Sequence, residues 1–154
     1  MSRYVTHVLQ PGETVAFDGT IHWLVYGPAI FFALVTIAGG VLAFGLDNDL
    51  NLVGYGLGGS GLIFGLISFA RAWFARFTTE IAVTNLRVIF KQGFIRRKTI
   101  EMNMSKVESV DVNQSILGRM LDYGDIVVRG TGSGLEPLHM IAHPIAFRNA
   151  VIAR

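Results

Sequence analysis

The clearest pattern in the chain is two long apolar runs without charge. From Leu24 to Leu46 no Asp, Glu, Lys or Arg occurs. As helix, at about 1.5 Å per residue, that run reaches roughly 34 Å, enough to cross a bilayer core with some tilt. Asp47-Asn48-Asp49-Leu50-Asn51 interrupts it with an acidic turn. Leu52 to Ala70 is a second uncharged run, again long enough to span. Trp23 opens the first run, and Arg71, Trp73 and Arg76 close the second. The pattern predicts a transmembrane helical hairpin over residues 23–74, with spans at about 24–46 and 52–70.

Inside the hairpin, Pro28 kinks the first helix or starts its regular part, because proline has no N–H to give the preceding turn. Gly54, Gly58, Gly61 and Gly65 recur at helical spacing and fall on one face of the second span. Such small-xxx-small pairs let another backbone approach closely. The groove they form suits either the first span of the same chain or a second copy. Neither span carries an acidic, basic or histidine residue in its middle, which argues against a proton or ion relay.

After Arg76 the period changes to two. Phe77, Thr79, Ile81 and Val83 alternate with Thr78, Glu80 and Ala82, which predicts a half-buried strand. Further strands are predicted at 86–91, 94–102, 106–112, 125–129 and 135–142. Thr84-Asn85 and Gln92-Gly93 are turns between them, Asn85 being a residue that tolerates the left-handed conformation. Residues 113–121 read as a loop with a helical turn. His143-Pro144 starts a terminal helix with Phe147, Ala150 and Val151 on its inner face. Residues 1–22 are polar to mixed, with a turn at Pro11-Gly12-Glu13 and an extended piece around Val15, Phe17 and Ile21. The expected architecture is an N-terminal segment (1–22), the hairpin (23–74), and a soluble domain (77–154). That domain is a small antiparallel β-barrel or sandwich capped by a C-terminal helix.

Charge sets the orientation. Every Lys and Arg lies before the first span or after the second, and the connecting turn is acidic. The positive-inside rule then places both termini in the cytoplasm. Trp23, Arg71, Trp73 and Arg76 become anchors at one membrane interface. The formal charge of +2 and pI near 9.2 fit a membrane protein with basic residues kept inside. Nucleic-acid binding would need a basic helix or an aromatic-basic repeat, and neither occurs. The first run is longer than a signal-peptide core, so an uncleaved anchor is expected. Two such oily helices are also more than the remaining domain could cover as a soluble core.

Chemistry is sparse. There is no cysteine, so thiolate metal sites and disulfides are excluded. His139 and His143 have helical spacing, but Pro144 breaks the helix they would need and no third ligand is evident. His22 reads as an interfacial histidine. No nucleophile elbow or carboxylate pair stands out. Gly130-Thr131-Gly132-Ser133-Gly134 lacks the lysine of a phosphate loop and reads as a hairpin connection. The best candidate site is the basic set Lys91, Arg96, Arg97 and Lys98 near a hairpin tip. Each cation close to an anionic surface contributes about 1 kcal/mol. The alternative is a solvated basic face.

Several residues in the second half carry a resemblance. Thr84-Asn85-x-Arg87-Val88-Ile89, Gly93, Lys106-Val107-x-x-Val110, Gln114-Ser115, Gly118-Arg119, Tyr123-Gly124, Gly130-Thr131-Gly132 and Pro144-x-x-Phe147-Arg148 together resemble the bacterial membrane-anchored PH-like domain family. Pro11-Gly12-Glu13 and His22-Trp23 look like that family's approach to its first span. Met102-Asn103-Met104 departs from its usual proline-bearing stretch. The resemblance implies a seven-stranded PH-like barrel capped by a helix, at the inner face of a bacterial plasma membrane. It implies a binding module without catalytic residues, cofactor or metal. Membrane lipids, an unidentified protein partner or further copies of the chain would be its partners. Two roles are expected from this reading: an adaptor or scaffold, or a sensor of anionic lipid headgroups through Lys91, Arg96, Arg97 and Lys98.

Overall fold

The structure, a computed structural model, describes residues 3–45, 51–93, 98–131 and 137–153. The acidic turn and Arg96 and Arg97 lie outside the described residues. In chain order the elements are α1 (Arg3–Val8), β1 (Val15–Gly19), a 3-10 turn (Trp23–Tyr26), α2 (Gly27–Phe44), α3 (Asn51–Thr78), β2 (Glu80–Thr84) and β3 (Arg87–Gln92). They continue with β4 (Lys98–Asn103), a 3-10 turn (Met104–Lys106), β5 (Val107–Asn113), α4 (Ile116–Leu121), β6 (Tyr123–Gly130), β7 (Leu138–Ala142) and α5 (Pro144–Ile152). They form two units: Trp23–Phe74, and Met1–His22 together with Ala75–Arg154.

The first unit is a helical hairpin built on glycine. A Cβ on Gly39 would lie 2.3 Å from the Gly58 nitrogen, and one on Gly54 2.4 Å from the Ala43 nitrogen. A Cβ on Gly61 would meet the Thr36 hydroxyl at 2.7 Å. The two backbones therefore touch where side chains are missing. Gly58 and Gly65 lie on the same face with ordinary clearances. The glycine groove of α3 thus receives α2 of the same chain. Ring pairs Tyr26–Phe69 (5.6 Å) and Phe44–Tyr55 (5.4 Å) mark the two ends of the antiparallel pair. Both helices are long and apolar enough to cross a membrane, and little of either is buried within the protein. Side chains such as Leu34, Ile37, Ile63 and Leu66 point outward.

The second unit holds two antiparallel sheets, β1-β2-β3-β4 and β5-β6-β7. An Ile21–Ile141 bridge links them, with the His22 N–H donating to the Met140 carbonyl (2.7 Å) and the Ala142 N–H to Thr20 (3.0 Å). Ile81, Val83, Val88, Phe90, Ile126, Val128 and Ile141 fill the space between, and Phe147 and Val151 of α5 complete the core. Phe17 of β1 meets Phe147 edge-on at 5.8 Å.

Three expectations change here. Residues 1–22 are not a segment apart: β1 pairs with β2 (Phe17 with Val83, Gly19 with Ile81), and α1 packs on β2. The sheet domain is therefore continuous in space but interrupted in sequence by the hairpin. Residues 77 and 78 belong to α3, so the strand begins at Glu80. Nor are β2 and β3 half-buried. Ile81–Thr84 and Arg87–Phe90 are buried throughout, because the α1 side of the sheet is covered too. Burial on both faces removes the polar alternation a surface sheet would show.

Packing predicts an asymmetry among the glycines. Gly61→Leu places a side chain against α2 and should destabilise the hairpin by about 1–3 kcal/mol, the usual cost of overpacking. Gly56→Leu, where a Cβ meets nothing within 4 Å, should be neutral. Thermal aggregation of the two variants in one detergent checks the difference.

Candidate functional site

The N-terminal segment is held to the second unit by charge. Glu13 sits after the Pro11-Gly12 turn, with Gly12 at φ 84, in the left-handed region that glycine adopts freely. Its side chain is fully buried, and its Oε2 lies 2.9 Å from Nη2 of Arg87. Arg87 is the first residue of β3, followed by the apolar run Val88-Ile89-Phe90. Its Nε donates to Glu13 Oε1 (3.0 Å), Nη1 to Glu101 (2.8 Å) and Nη2 also to the Val8 carbonyl (2.7 Å). The Thr84 hydroxyl donates to Glu13 (2.7 Å) and accepts from the Arg87 N–H (3.0 Å). Gln10 N–H donates to the second Glu13 oxygen (2.8 Å). Both carboxylate oxygens are thus occupied from within the protein.

Asn85 completes the clamp. Its carbonyl oxygen accepts from the Thr14 N–H (2.9 Å) and its amide donates to Gly12 (3.3 Å). It is not among the residues with positive φ. Its value lies in a side chain that copies a backbone hydrogen-bonding edge, and not in left-handed tolerance. Burial raises the Glu13 pKa, but the bonds from Gln10, Thr84 and Arg87 outweigh it and hold the group below its ordinary 4.5. Arg87 is raised further by its bond to Glu13.

A second cluster surrounds His22, whose ring is buried inside the sheet unit. Its ring stacks on Tyr123 (5.2 Å between centroids, 24° between planes) and hydrogen-bonds the Leu121 backbone. Burial lowers its pKa below 6.5, and the charges of His143 and Arg76 add to this against a smaller pull from Asp122. Asp122, Met140 and His143 are the non-glycine residues with positive φ among those described, and all belong to this corner. His143 Nδ1 pairs with Asp122, and His139 with Asp125 at 3.2 Å. The two histidines with helical spacing thus serve different aspartates, His139 on β7 and His143 capping α5. Among the described residues no three His, Cys, Asp or Glu side chains are grouped to hold a metal.

The corner also organises α4. Ser115 caps the helix by accepting from the Gly118 N–H (3.0 Å). The Gln114 amide donates to the Gly118 and Tyr123 carbonyls (3.3 and 3.0 Å). A Cβ on Gly118 would lie 2.7 Å from the Tyr123 carbonyl.

Of the basic set, Lys91 is largely buried on β3 and pairs with Glu80 at 3.3 Å. Lys98 is exposed at the start of β4, opposite Gln92. Arg96 and Arg97 lie between them, outside the described residues. Gln92 and Lys98, paired across β3 and β4, stand at the same end of the four-stranded sheet as Gly19 and Glu80. Trp23 and Trp73 are each roughly half exposed at the paired ends of the hairpin unit. Arg71 and Arg76 are exposed near the end of α3.

Sequence reading missed the clamp and the His22 corner. A single Arg inside Val83-Thr84-Asn85-Leu86-Arg87-Val88-Ile89-Phe90 was the available signal. A lone cation among buried strand positions needs a buried anion. The anion lies 74 residues away, beyond the reach of local pattern.

Removing one partner should cost far more than removing both. Arg87→Met leaves Glu13 buried and unpaired and should destabilise the sheet unit by about 3–5 kcal/mol. Combining it with Glu13→Gln should recover part of that loss. Thermal unfolding and resistance to limited proteolysis measure the cycle.

Acid should also loosen the His22 corner. A histidine held neutral in the fold binds its proton more readily when unfolded, so its contribution is intact above about pH 6.5 and declines below it. The protection factors of the His22 and Ala142 amides, taken against the intrinsic exchange rate at each pH, should therefore fall between pH 7.5 and 5.5. His22→Phe keeps the stacking and should flatten that dependence, while the Glu13 contribution fades only below about pH 4.5.

Comparison with curated proteins and with solved structures gives no significant match. The sequence profile described as Bacterial PH domain matches residues 29–153. That range takes in both apolar helices, β2 to β7 and α5, whereas β1 and the Glu13 turn lie before it. Two antiparallel sheets closed by a C-terminal helix are the arrangement such a module requires. The chain belongs to the bacterial PH domain family.

Proposed function

We propose that this chain is a non-enzymatic, membrane-anchored adaptor of a bacterial plasma membrane, its sheet unit and both termini on the cytoplasmic side. The observation that carries the reading is the place of the hairpin. It is inserted between β1 and β2, so the chain connects it to the PH-like unit twice, through residues 20–22 and through the last turn of α3. Outward-facing Leu, Ile and Phe along both helices fit lipid as their solvent. The basic residues at the end of α3 and the Trp23–Trp73 pair favour a cytoplasmic sheet unit. The barrel would be closed on one side by the Ile21–Ile141 bridge. Its best-formed polar cluster, Glu13 with Arg87, spends its hydrogen-bonding capacity on the fold, which supports a binding role over a catalytic one. The partner is then a protein or further copies of the chain.

A second reading is a headgroup sensor at the β3–β4 connection. Gln92 and Lys98 lie at the end of the sheet that holds Gly19 and Glu80, the strand ends next to the hairpin in sequence, which favours it. The commitment of Lys91 to Glu80 weakens it, since that cation is already paired within the sheet.

Two measurements separate the readings. Photo-crosslinking from exposed sheet positions in native membranes should trap a discrete protein neighbour if the adaptor role holds. Neutralising Arg96, Arg97 and Lys98 to Gln should leave that product intact. If the sensor role holds instead, the triple variant loses phosphatidylglycerol and cardiolipin in co-purified lipid while no neighbour is trapped.

A further inference from the structure

The short helix α4 exposes what a soluble surface normally hides. Ile116 is 80% exposed, Met120 76% and Leu117 61%, and Leu121 is also open. They make up four of the six residues of the helix. The polar residues around them are all spent on holding α4 in place: Ser115 on its first turn, Gln114 on Gly118 and Tyr123, Asp122 at its left-handed end. Gly118 faces inward. The loop therefore fixes a helix whose apolar side chains point away from the unit that builds it. Local folding does not require that arrangement, and exposed apolar clusters mark interaction surfaces.

The position of α4 says what covers it. Its last residue, Leu121, hydrogen-bonds the His22 ring through its backbone, and Tyr123 stacks on the same ring. His22 is the final residue before Trp23, where the chain enters the hairpin unit. Arg76, the charge of which also reaches His22, stands just after the hairpin. The apolar patch is thus pinned to the point where the chain leaves for the two lipid-seeking helices. Its one charged residue is a cation, Arg119, suited to an anionic headgroup. Four side chains also fall well short of the about 1,200–2,000 Å² that a stable protein interface buries.

We propose that α4 dips into the headgroup–acyl boundary of the bilayer, with Ile116, Leu117, Met120 and Leu121 in contact with lipid and Arg119 reaching phosphate. This rests on the membrane-spanning reading of the hairpin. Interfacial helices bind in this way, with apolar residues sunk and basic residues at headgroup level.

The chain has no cysteine, so single labels are clean. The full chain is reconstituted in phosphatidylethanolamine–phosphatidylglycerol liposomes with a polarity-sensitive fluorophore at Met120→Cys, Ile63→Cys or Ser109→Cys. Ile63 lies on an outward face of α3 and Ser109 on exposed β5. The expected result is blue-shifted emission and quenching by lipid-borne nitroxide at positions 120 and 63, and quenching by aqueous iodide at 109. Lipid contact at 63 with aqueous exposure at 120 overturns the proposal and leaves the hairpin reading standing. Aqueous exposure at 63 overturns the hairpin reading and with it the proposal. Shielding at 120 without nitroxide quenching, lost on diluting protein into excess lipid, assigns the patch to a second copy and also overturns it. Ile116→Ser with Leu117→Ser changes only exposed side chains. In that background nitroxide quenching at 120 should drop while quenching at 63 stays unchanged, and undiminished quenching at 120 counts against insertion of the helix.

Discussion

The buried pairing of Glu13 with Arg87 fixes how the N-terminal segment docks on the rest of the sheet unit. The sheet unit needs β1, yet β1 precedes the helical hairpin, and β2 follows it. Glu13 and Arg87 join across 74 residues of chain. A buried pair of this kind gains little over a well-packed apolar pair, because both ions have been taken out of water. Its value lies in discrimination. If the N-terminal segment docks one residue out of register, Glu13 loses its cation, Arg87 is left with Glu101 alone, and Phe17 turns away from Phe147. Thr84 and Asn85 add directional bonds that accept only one path for Pro11-Gly12-Glu13. The clamp therefore selects a docking as much as it strengthens one.

The hairpin lowers the cost of that closure. A flexible loop of this length would oppose it by on the order of 4 kcal/mol. Here the loop is not flexible. Gly39, Gly54 and Gly61 let α2 and α3 meet backbone to backbone, so the two ends of the hairpin, marked by Tyr26 and Phe69, come out side by side. Once the helices pair, β1 and β2 are delivered as neighbours. Glycines in one unit thus bear on the stability of strands in the other, through chain connectivity alone.

How far this was legible follows from the range of each interaction. The helices and β3 to β7 show in local periodicity, since alternation and uncharged runs are written within a few residues. The terminal helix showed in Pro144, Phe147 and Val151. The membership of β1 did not, because its partner lies beyond the hairpin and a five-residue strand carries little pattern. Nor did α1 signal that it would pack on β2, which was read as half-buried. His22 adjoins Trp23 and an oily run, and nothing local said that its ring turns back to Tyr123. Asn85 does lie in the turn between β2 and β3, but that its side chain also holds Gly12 and Thr14 was not written in the turn. Local sequence reports what a residue tolerates, and these residues are defined by what they reach.

The arrangement also bears on how such a domain can work. If the hairpin is a membrane anchor, as proposed, the chain ties the sheet unit to it twice, through residues 20–22 and the end of α3, and two points of attachment define one axis. A third contact away from that axis removes the remaining rotation. With α4 in the interface, rigidly mounted on the His22 corner, the sheet unit would present one constant face to the cytoplasm and hold another against the headgroups. For an adaptor, as proposed, this would matter more than anchoring strength. A partner that meets a fixed orientation loses less rotational freedom on binding, and a modest surface then suffices for specific association.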